Sequence, residues 1–171
     1  MTTETASCPE GDYREFVRSR AAPLHRAAYL LCGDWHLAND LVQEALAKAF
    51  RHWRRVQRAT NPDAYVHRIL INEVNRYWQR HRPVAPLADA TQYDTAVPDA
   101  ADQVADRTDL LRALLALTAR QRATVVLRYL VGMTERETAA VLRCSEGTVK
   151  SQSSRALNTL KTHLRREESR R

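Results

Sequence analysis

Between residues 68 and 80 the chain carries Arg68, Asn72, Arg76, Tyr77, Trp78 and Arg80, cations interleaved with large aromatics and an amide. Guanidinium groups neutralise phosphates and aromatic faces stack on unpaired bases at ~1–3 kcal/mol each, so this mixture suits single-stranded nucleic acid. The structural alternative is that Tyr77 and Trp78 close a core and the arginines form a solvated face. A second grouping lies near the C-terminus. Projected at roughly 100° per residue, residues 146–164 place Val149, Ser153, Ala156, Leu157, Leu160 and Leu164 on one side. Gly147, Thr148, Lys150, Ser151, Ser154, Arg155 and Asn158 fall on the other. No acidic residue occurs between Gly147 and His163, where an ordinary solvated face would carry Glu and Lys pairs. A small, polar, cationic face of this kind fits a major groove, with its N-terminal residues near base edges.

Other chemistry is poorly served. His25, His36, His52, His67, His81 and His163 show no metal-ligand spacing, there is no Gly-rich phosphate loop, and no nucleophile motif surrounds a cysteine. No catalytic residue, metal site, cofactor or small-molecule substrate is therefore expected. Cys8, Cys32 and Cys144 are odd in number and share no ligand spacing, which argues against a disulfide framework or a zinc knuckle. Cys32 and Cys144 read instead as small buried thiols.

The elements that must position the two groupings follow from apolar periodicity. From Tyr13 to Trp78 apolar residues recur at three and four, the helical spacing. Three helices fit. The first runs from about Asp12 to Cys32, with Phe16, Val17, Leu24, Ala28 and Leu31 inward and Pro23 as a kink or split. Asp34 caps the second, whose stripe is Leu37, Ala38, Leu41, Val42, Ala45, Ala49, Phe50 and Trp53. Asn61 caps the third with Pro62 at its first position, where no backbone donor is lost. Its apolar side includes Ala64, Tyr65, Ile69 and Val74. Within the second helix, Asp40, Leu41, Val42, Gln43 and Glu44 form an acidic run on a basic background, either a protein-docking face or an ordinary amphipathic helix.

The C-terminal part reads as a short helix over Leu110 to Leu117, followed by two capping boxes. Thr118 with Gln121 and Thr134 with Glu137 start helices at about Ala119–Val131 and Glu135–Leu142. Arg143, Cys144 and Ser145 make a tight turn into the helix that carries the cationic face. A short helix, a tight turn and a longer basic helix make a helix-turn-helix pattern.

Charge divides the chain along the same lines. The 171 residues hold 27 Lys plus Arg against 20 Asp plus Glu, a net charge of +7. Residues 11–82 carry 13 basic and 7 acidic side chains, and residues 107–164 carry 10 basic and 4 acidic. Between them, residues 83–106 hold Asp89, Asp94, Asp99, Asp102 and Asp106, three prolines, and no Lys, Arg or Glu. This segment reads as a linker, about 80 Å long if fully extended and about 27 Å if relaxed. The expected organisation is all-α: a helical domain at 11–82, an acidic linker at 83–106, a helix-turn-helix domain at 107–164 and a basic tail at 165–171. No apolar run is long enough to span a bilayer, and Met1 to Gly11 lacks the pattern of a secretory signal. The cytoplasm is the expected compartment.

Four segments then carry a resemblance. Asp40 to Ala45, Ala64 to Ile69 with Asn72, and Gly147 to Leu157 resemble the extracytoplasmic-function sigma factors of bacterial RNA polymerase, and Tyr29 to Asp34 together with Lys150 to Leu157 resemble the SigE-like branch in particular. The likeness covers about residues 11–164. It implies that Asp40 to Glu44 dock on core polymerase. It also implies that Arg68, Asn72 and Arg76, with the loop before Asn61 and the neighbouring Tyr77, Trp78 and Arg80, engage the melted −10 element. Gly147, Thr148, Lys150, Ser151, Ser154 and Arg155 would read the −35 element as duplex, and the acidic linker would thread polymerase channels. The implied partners are core RNA polymerase, promoter DNA and an anti-sigma factor. Arg143 stands where the family commonly has Gly. The competing reading of the residues is a stand-alone helix-turn-helix regulator with an N-terminal dimerisation or sensor bundle.

Overall fold

A computed structural model describes residues 9–81 and 101–168. Among them the chain is all-α. The first half comprises α1 (Pro9–Cys32), α2 (Trp35–Arg51), α3 (Trp53–Gln57) and α4 (Pro62–Arg80). The second comprises α5 (Ala101–Leu115), α6 (Ala119–Val125), a π-helical turn (Val126–Leu130), α7 (Glu135–Leu142) and α8 (Glu146–Glu168). Cys8 and most of the expected acidic linker lie outside the described residues, as do residues 169–171 of the tail. Helix α5 begins at Ala101, inside the stretch read as linker.

Capping residues fix the boundaries. The Asp34 side chain accepts from the Leu37 amide at 2.9 Å, and Asn61 accepts from the Ala64 amide at 3.0 Å, each filling an orphan helix donor. Both capping boxes form, Thr118 with Gln121 and Thr134 with Glu137. Arg143 ends α7 in the left-handed region, at φ 52° and ψ 53°, so the turn keeps a glycine-type conformation with a bulky residue in it.

Several expectations change. Pro23 lies inside a continuous α1 and does not split it. Trp53 leaves α2 and opens α3, because the chain breaks at His52, whose amide is shared between the Lys48 and Ala49 carbonyls. Phe50 is exposed: its ring meets Tyr13 at 4.8 Å in a tilted arrangement, while the Trp53 ring is held by Tyr13 and Phe16. The buried face of α4 is Val66, His67, Leu70, Ile71, Glu73 and Val74, with Ala64, Tyr65 and Ile69 only half-buried at its edge. The helix expected over Ala119–Val131 is α6 plus the π-helical turn, closed by a bond from the Val131 amide to the Val126 carbonyl. Leu157 points outward from α8.

The larger buried cluster draws on both halves of the chain. Leu24, Ala28, Val42, Val66 and Leu70 share one apolar cluster with Ala123, Val126, Leu127, Met133 and Val141 from the second half. A smaller cluster of Ala113, Leu114, Leu117, Val125, Ala156 and Leu160 seats α8 on α5 and α6.

Candidate nucleic-acid interface

On α4 the buried face dictates what is left outside. With Val66, Leu70 and Val74 inward, Arg68, Asn72, Arg76 and Arg80 follow one another at four-residue steps on the exposed side. Tyr77 and Trp78 are half-buried and meet edge to face at 5.3 Å, and Tyr77 also stacks on His81 at 4.3 Å. Neither is fully buried: each ring packs against the core on one side and leaves part of its surface open. Asn61 is more constrained. Its side-chain oxygen caps α4, and its amide donates to Glu137 Oε1 of α7 at 2.6 Å.

On α8, Val149, Ser153, Ala156 and Leu160 are buried, while Gly147, Lys150, Ser151, Ser154 and Arg155 are exposed and Thr148 is half-buried. Ser145 caps the helix through the Thr148 amide, and its hydroxyl meets that of Thr148 at 2.9 Å. Lys150 Nζ lies 3.5 Å from Glu135 of α7, a pair exposed enough to add little stability. The packing and outward faces thus separate as the projection expected, apart from Leu157.

The acidic run on α2 is split by the core. Asp40, Gln43 and Glu44 face outward, whereas Leu41 and Val42 are buried. The last two lie on the apolar stripe with Ala38 and Ala45, as helical spacing expects, which leaves Asp40, Gln43 and Glu44 as the outward part of the run. Glu44 takes a bond from Lys48 at 3.0 Å, and that contact holds its carboxyl below the usual range.

Two functional-looking features are not anticipated by the periodicity. One is a surface cavity of about 570 Å³ lined by Glu10, Phe50, Arg51, His52, Trp53, Arg54 and Arg55. Its sequence signal is the contiguous Arg51-His52-Trp53-Arg54-Arg55 run, which a continuous α2 through Trp53 would have spread around the helix. The other is Glu73, buried on α4 and bound by Lys48 at 2.7 Å and Arg76 at 3.4 Å. Cys32 is buried as expected, donates to the Asp34 carbonyl, and burial pushes its thiol up to about 11, which makes it unreactive. Cys144 is only half-buried. Among the described residues no three His, Cys, Asp or Glu side chains are grouped to hold a metal ion, and no helix is long and apolar enough to cross a membrane.

Comparison with known proteins decides between the readings. The family described as Sigma-70 region 2 matches residues 16–84, and Sigma-70, region 4 matches residues 107–166. The chain belongs to the sigma-70 family. The RNA polymerase sigma-E factor of Streptomyces coelicolor is 38% identical over 153 residues, which cover 90% of this chain and 86% of that relative. The ECF RNA polymerase sigma factor SigM of Mycobacterium tuberculosis is 32% identical over 146 residues, 84% of this chain and 72% of that protein. Among solved structures, the sigma factor RpoE in complex with the anti-sigma factor NepR from Bartonella quintana matches with a TM-score of 0.75 at 28% identity. That match covers 90% of this chain and 97% of the other. CnrH in complex with the cytosolic domain of CnrY shares the fold, with a TM-score of 0.66 at 22% identity, 93% of this chain and 90% of that one. As a sigma factor of the extracytoplasmic-function group, the protein binds core RNA polymerase and directs promoter-specific initiation. The outward rows of α4 and α8 fall in the region 2 and region 4 matches respectively.

Proposed function

We propose that the two outward rows divide promoter recognition between them. The observation that carries this is their separation onto two helices of opposite ends of the chain, each cationic and each backed by its own buried face. Helix α8 enters the duplex −35 element with Gly147, Thr148, Lys150, Ser151, Ser154 and Arg155 toward the groove. Helix α4 receives the melted −10 strand: Arg68, Arg76 and Arg80 neutralise phosphates, Asn72 and Asn61 offer amides to base edges, and Tyr77 and Trp78 supply stacking surface. Asp40, Gln43 and Glu44 dock on core polymerase, with Leu41 and Val42 holding that face in place from beneath.

The domain limits that fit this division are 11–82, 107–164 and the acidic connector 83–106, with 165–171 as a basic tail. The negative connector suits a path along cationic polymerase walls that otherwise hold nucleic acid. The work is binding and selection in the cytoplasm, with the chemistry of synthesis left to the polymerase. The RpoE relative is held by an anti-sigma factor, and an anti-sigma factor is proposed as a partner here too. Reconstitution with core polymerase and mapping of transcription starts across genomic DNA tests the assignment. A shared −35 and −10 sequence among the starts is the expected result, and initiation no different from core alone would overturn it.

A further inference from the structure

The cavity of about 570 Å³ where α2 meets α3 is walled by three arginines, a histidine and two aromatic rings, with Glu10 of α1 as its one carboxylate. The chain break at His52 builds it. Helix α2 ends with Arg51 and α3 restarts at Trp53, so Arg51, Arg54 and Arg55 line one hollow from two helices. Among the described residues none of these three guanidinium groups is in an ion pair, whereas Arg18, Arg20 and Arg76 each meet a carboxylate. Like charges gathered without partners repel one another, and an anion that enters relieves them.

Four rings, Tyr13, Phe16, Phe50 and Trp53, pack at this corner and bring two polar atoms with them. The Tyr13 hydroxyl donates to the Leu46 carbonyl at 2.9 Å. The buried Trp53 Nε1–H has no acceptor among the described residues. An indole nitrogen only donates, and buried donors are nearly always paired, so the Trp53 wall of the cavity lacks an oxygen. Phe50 supplies the complementary surface, a flat apolar ring 48% exposed beside the cations. Guanidinium groups for a phosphate next to an open aromatic face for a base are the chemistry that holds a nucleotide. The volume lies in the range of small-molecule sites.

We propose that this cavity binds one nucleotide unit, its phosphate among Arg51, Arg54 and Arg55 against the Trp53 wall and its base on the Phe50 ring. The site is distinct from the outward row of α4, although only Arg58, Ala59 and Thr60 separate α3 from Asn61. Two sources carry such a unit: a free nucleotide, or a further nucleotide of an unpaired strand lying on α4. The strand source rests on the −10 role proposed for α4; the site itself does not.

Tryptophan fluorescence of the full chain, titrated with thymidine monophosphate, deoxyribose phosphate, inorganic phosphate and a short oligothymidylate, tests this. Thymidine monophosphate should change the emission of the wild type, and the change should vanish in Trp53→Phe. Phe50→Ala, and Arg54→Ala with Arg55→Ala, should each weaken binding about tenfold, the lower end of what one stacked base contributes. These three positions are exposed, so helicity should not change. If Trp53→Phe loses helicity, calorimetry of the Phe50 and arginine variants carries the comparison. Deoxyribose phosphate or inorganic phosphate binding as tightly as the nucleotide would reduce the cavity to an anion patch and overturn the proposal. Oligothymidylate binding that these variants weaken, with no response to the monophosphate, supports the site and assigns it to the strand. Oligothymidylate binding that they leave unmoved, with no response to the monophosphate, overturns the site and leaves the −10 reading standing. Loss of core polymerase affinity in the arginine variant with nucleotide binding unchanged gives the cavity to the polymerase face and also overturns it. Nucleotide binding by a chain that fails to direct initiation supports the site and counts against the functional reading.

Discussion

Lys48 Nζ of α2 lies 2.7 Å from Glu73 Oε2 of α4, and through this contact the helix that carries the acidic run is fastened to the helix that carries the outward cationic row. The Glu73 side chain is 8% exposed and also meets Arg76, while Lys48 reaches on to Glu44. Removing one partner of a buried pair leaves the other charge without full compensation, whereas removing both is far less costly. Lys48→Met should therefore cost about 2 kcal/mol in urea unfolding, discounted because Lys48 keeps some exposure and Arg76 remains. Lys48→Met with Glu73→Gln should recover most of that loss. A double variant as unstable as the sum of its singles would deny the coupling.

Lys150→Ala and Arg155→Ala should reduce promoter-specific transcription with core affinity unchanged. Both side chains are exposed on α8, and the Glu135 partner of Lys150 is a surface pair of little weight, so folding is not at stake. Each substitution removes one cation that can neutralise a phosphate, and so lowers the salt dependence of promoter binding by about one charge. Equal loss of core binding would move these residues out of the −35 surface.

Asp40 and Glu44 changed together to Lys should weaken polymerase binding while leaving promoter preference intact in the residual complex. Both point outward and neither supports the core, so helicity should not change. Competition for core polymerase against the wild-type chain measures the effect, and unchanged affinity would remove the docking assignment.

The sequence disclosed these faces to different degrees. Caps were legible because Asp34, Asn61, Thr118 and Thr134 act on amides three residues away, an interaction that local order alone determines. The α8 faces were legible because a single packing side selects them. Phe50 and Leu157 were not, since their apolar character matches the stripe while their angular position is decided by a chain break and by which neighbours arrive. Arg122 and Glu73 were least visible. Both look like ordinary surface charges until partners from distant elements are brought to them, and no local pattern encodes that arrival. Arg143 was the reverse case: the residue that departs from the family pattern marked a left-handed position that the backbone keeps.

Arg143→Gly should stabilise the protein by about 0.5 kcal/mol. A non-glycine residue in the left-handed region costs roughly 1–2 kcal/mol, and glycine returns part of that gain through the greater entropy of its unfolded chain. The Cys144 amide bond to the Ala139 carbonyl, 3.0 Å, should be undisturbed. A lower denaturation midpoint in the glycine variant would show that the arginine side chain does more at the turn than occupy it.

His67 should make stability fall with acid. Its Nδ1–H donates to the Asp63 carbonyl at 2.9 Å, which leaves Nε2 as a buried acceptor without a partner. The cavity beside it is lined by Arg20 and Arg26 of α1, Asp63 of α4 and Glu137 of α7. Burial pulls its pKa below the ordinary value, the Asp63 carbonyl and carboxylate oppose that, and Arg20 adds to it. With the folded pKa below the unfolded one, the unfolded chain binds the extra proton first. Nothing is lost above about pH 6.5, and stability declines from there down to the folded pKa, by no more than about 1.4 kcal/mol per pH unit for one proton. Glu137 titrates in the same direction, its carboxyl held low by bonds from Thr134 and Asn61, but only in the carboxylate range. Urea unfolding of wild type and His67→Leu at about pH 7.5 and 5.5, on either side of the ordinary histidine value, separates the two. The difference between the proteins should change between those pH values in favour of the variant, and a constant difference would mean that His67 takes up its proton as readily folded as unfolded.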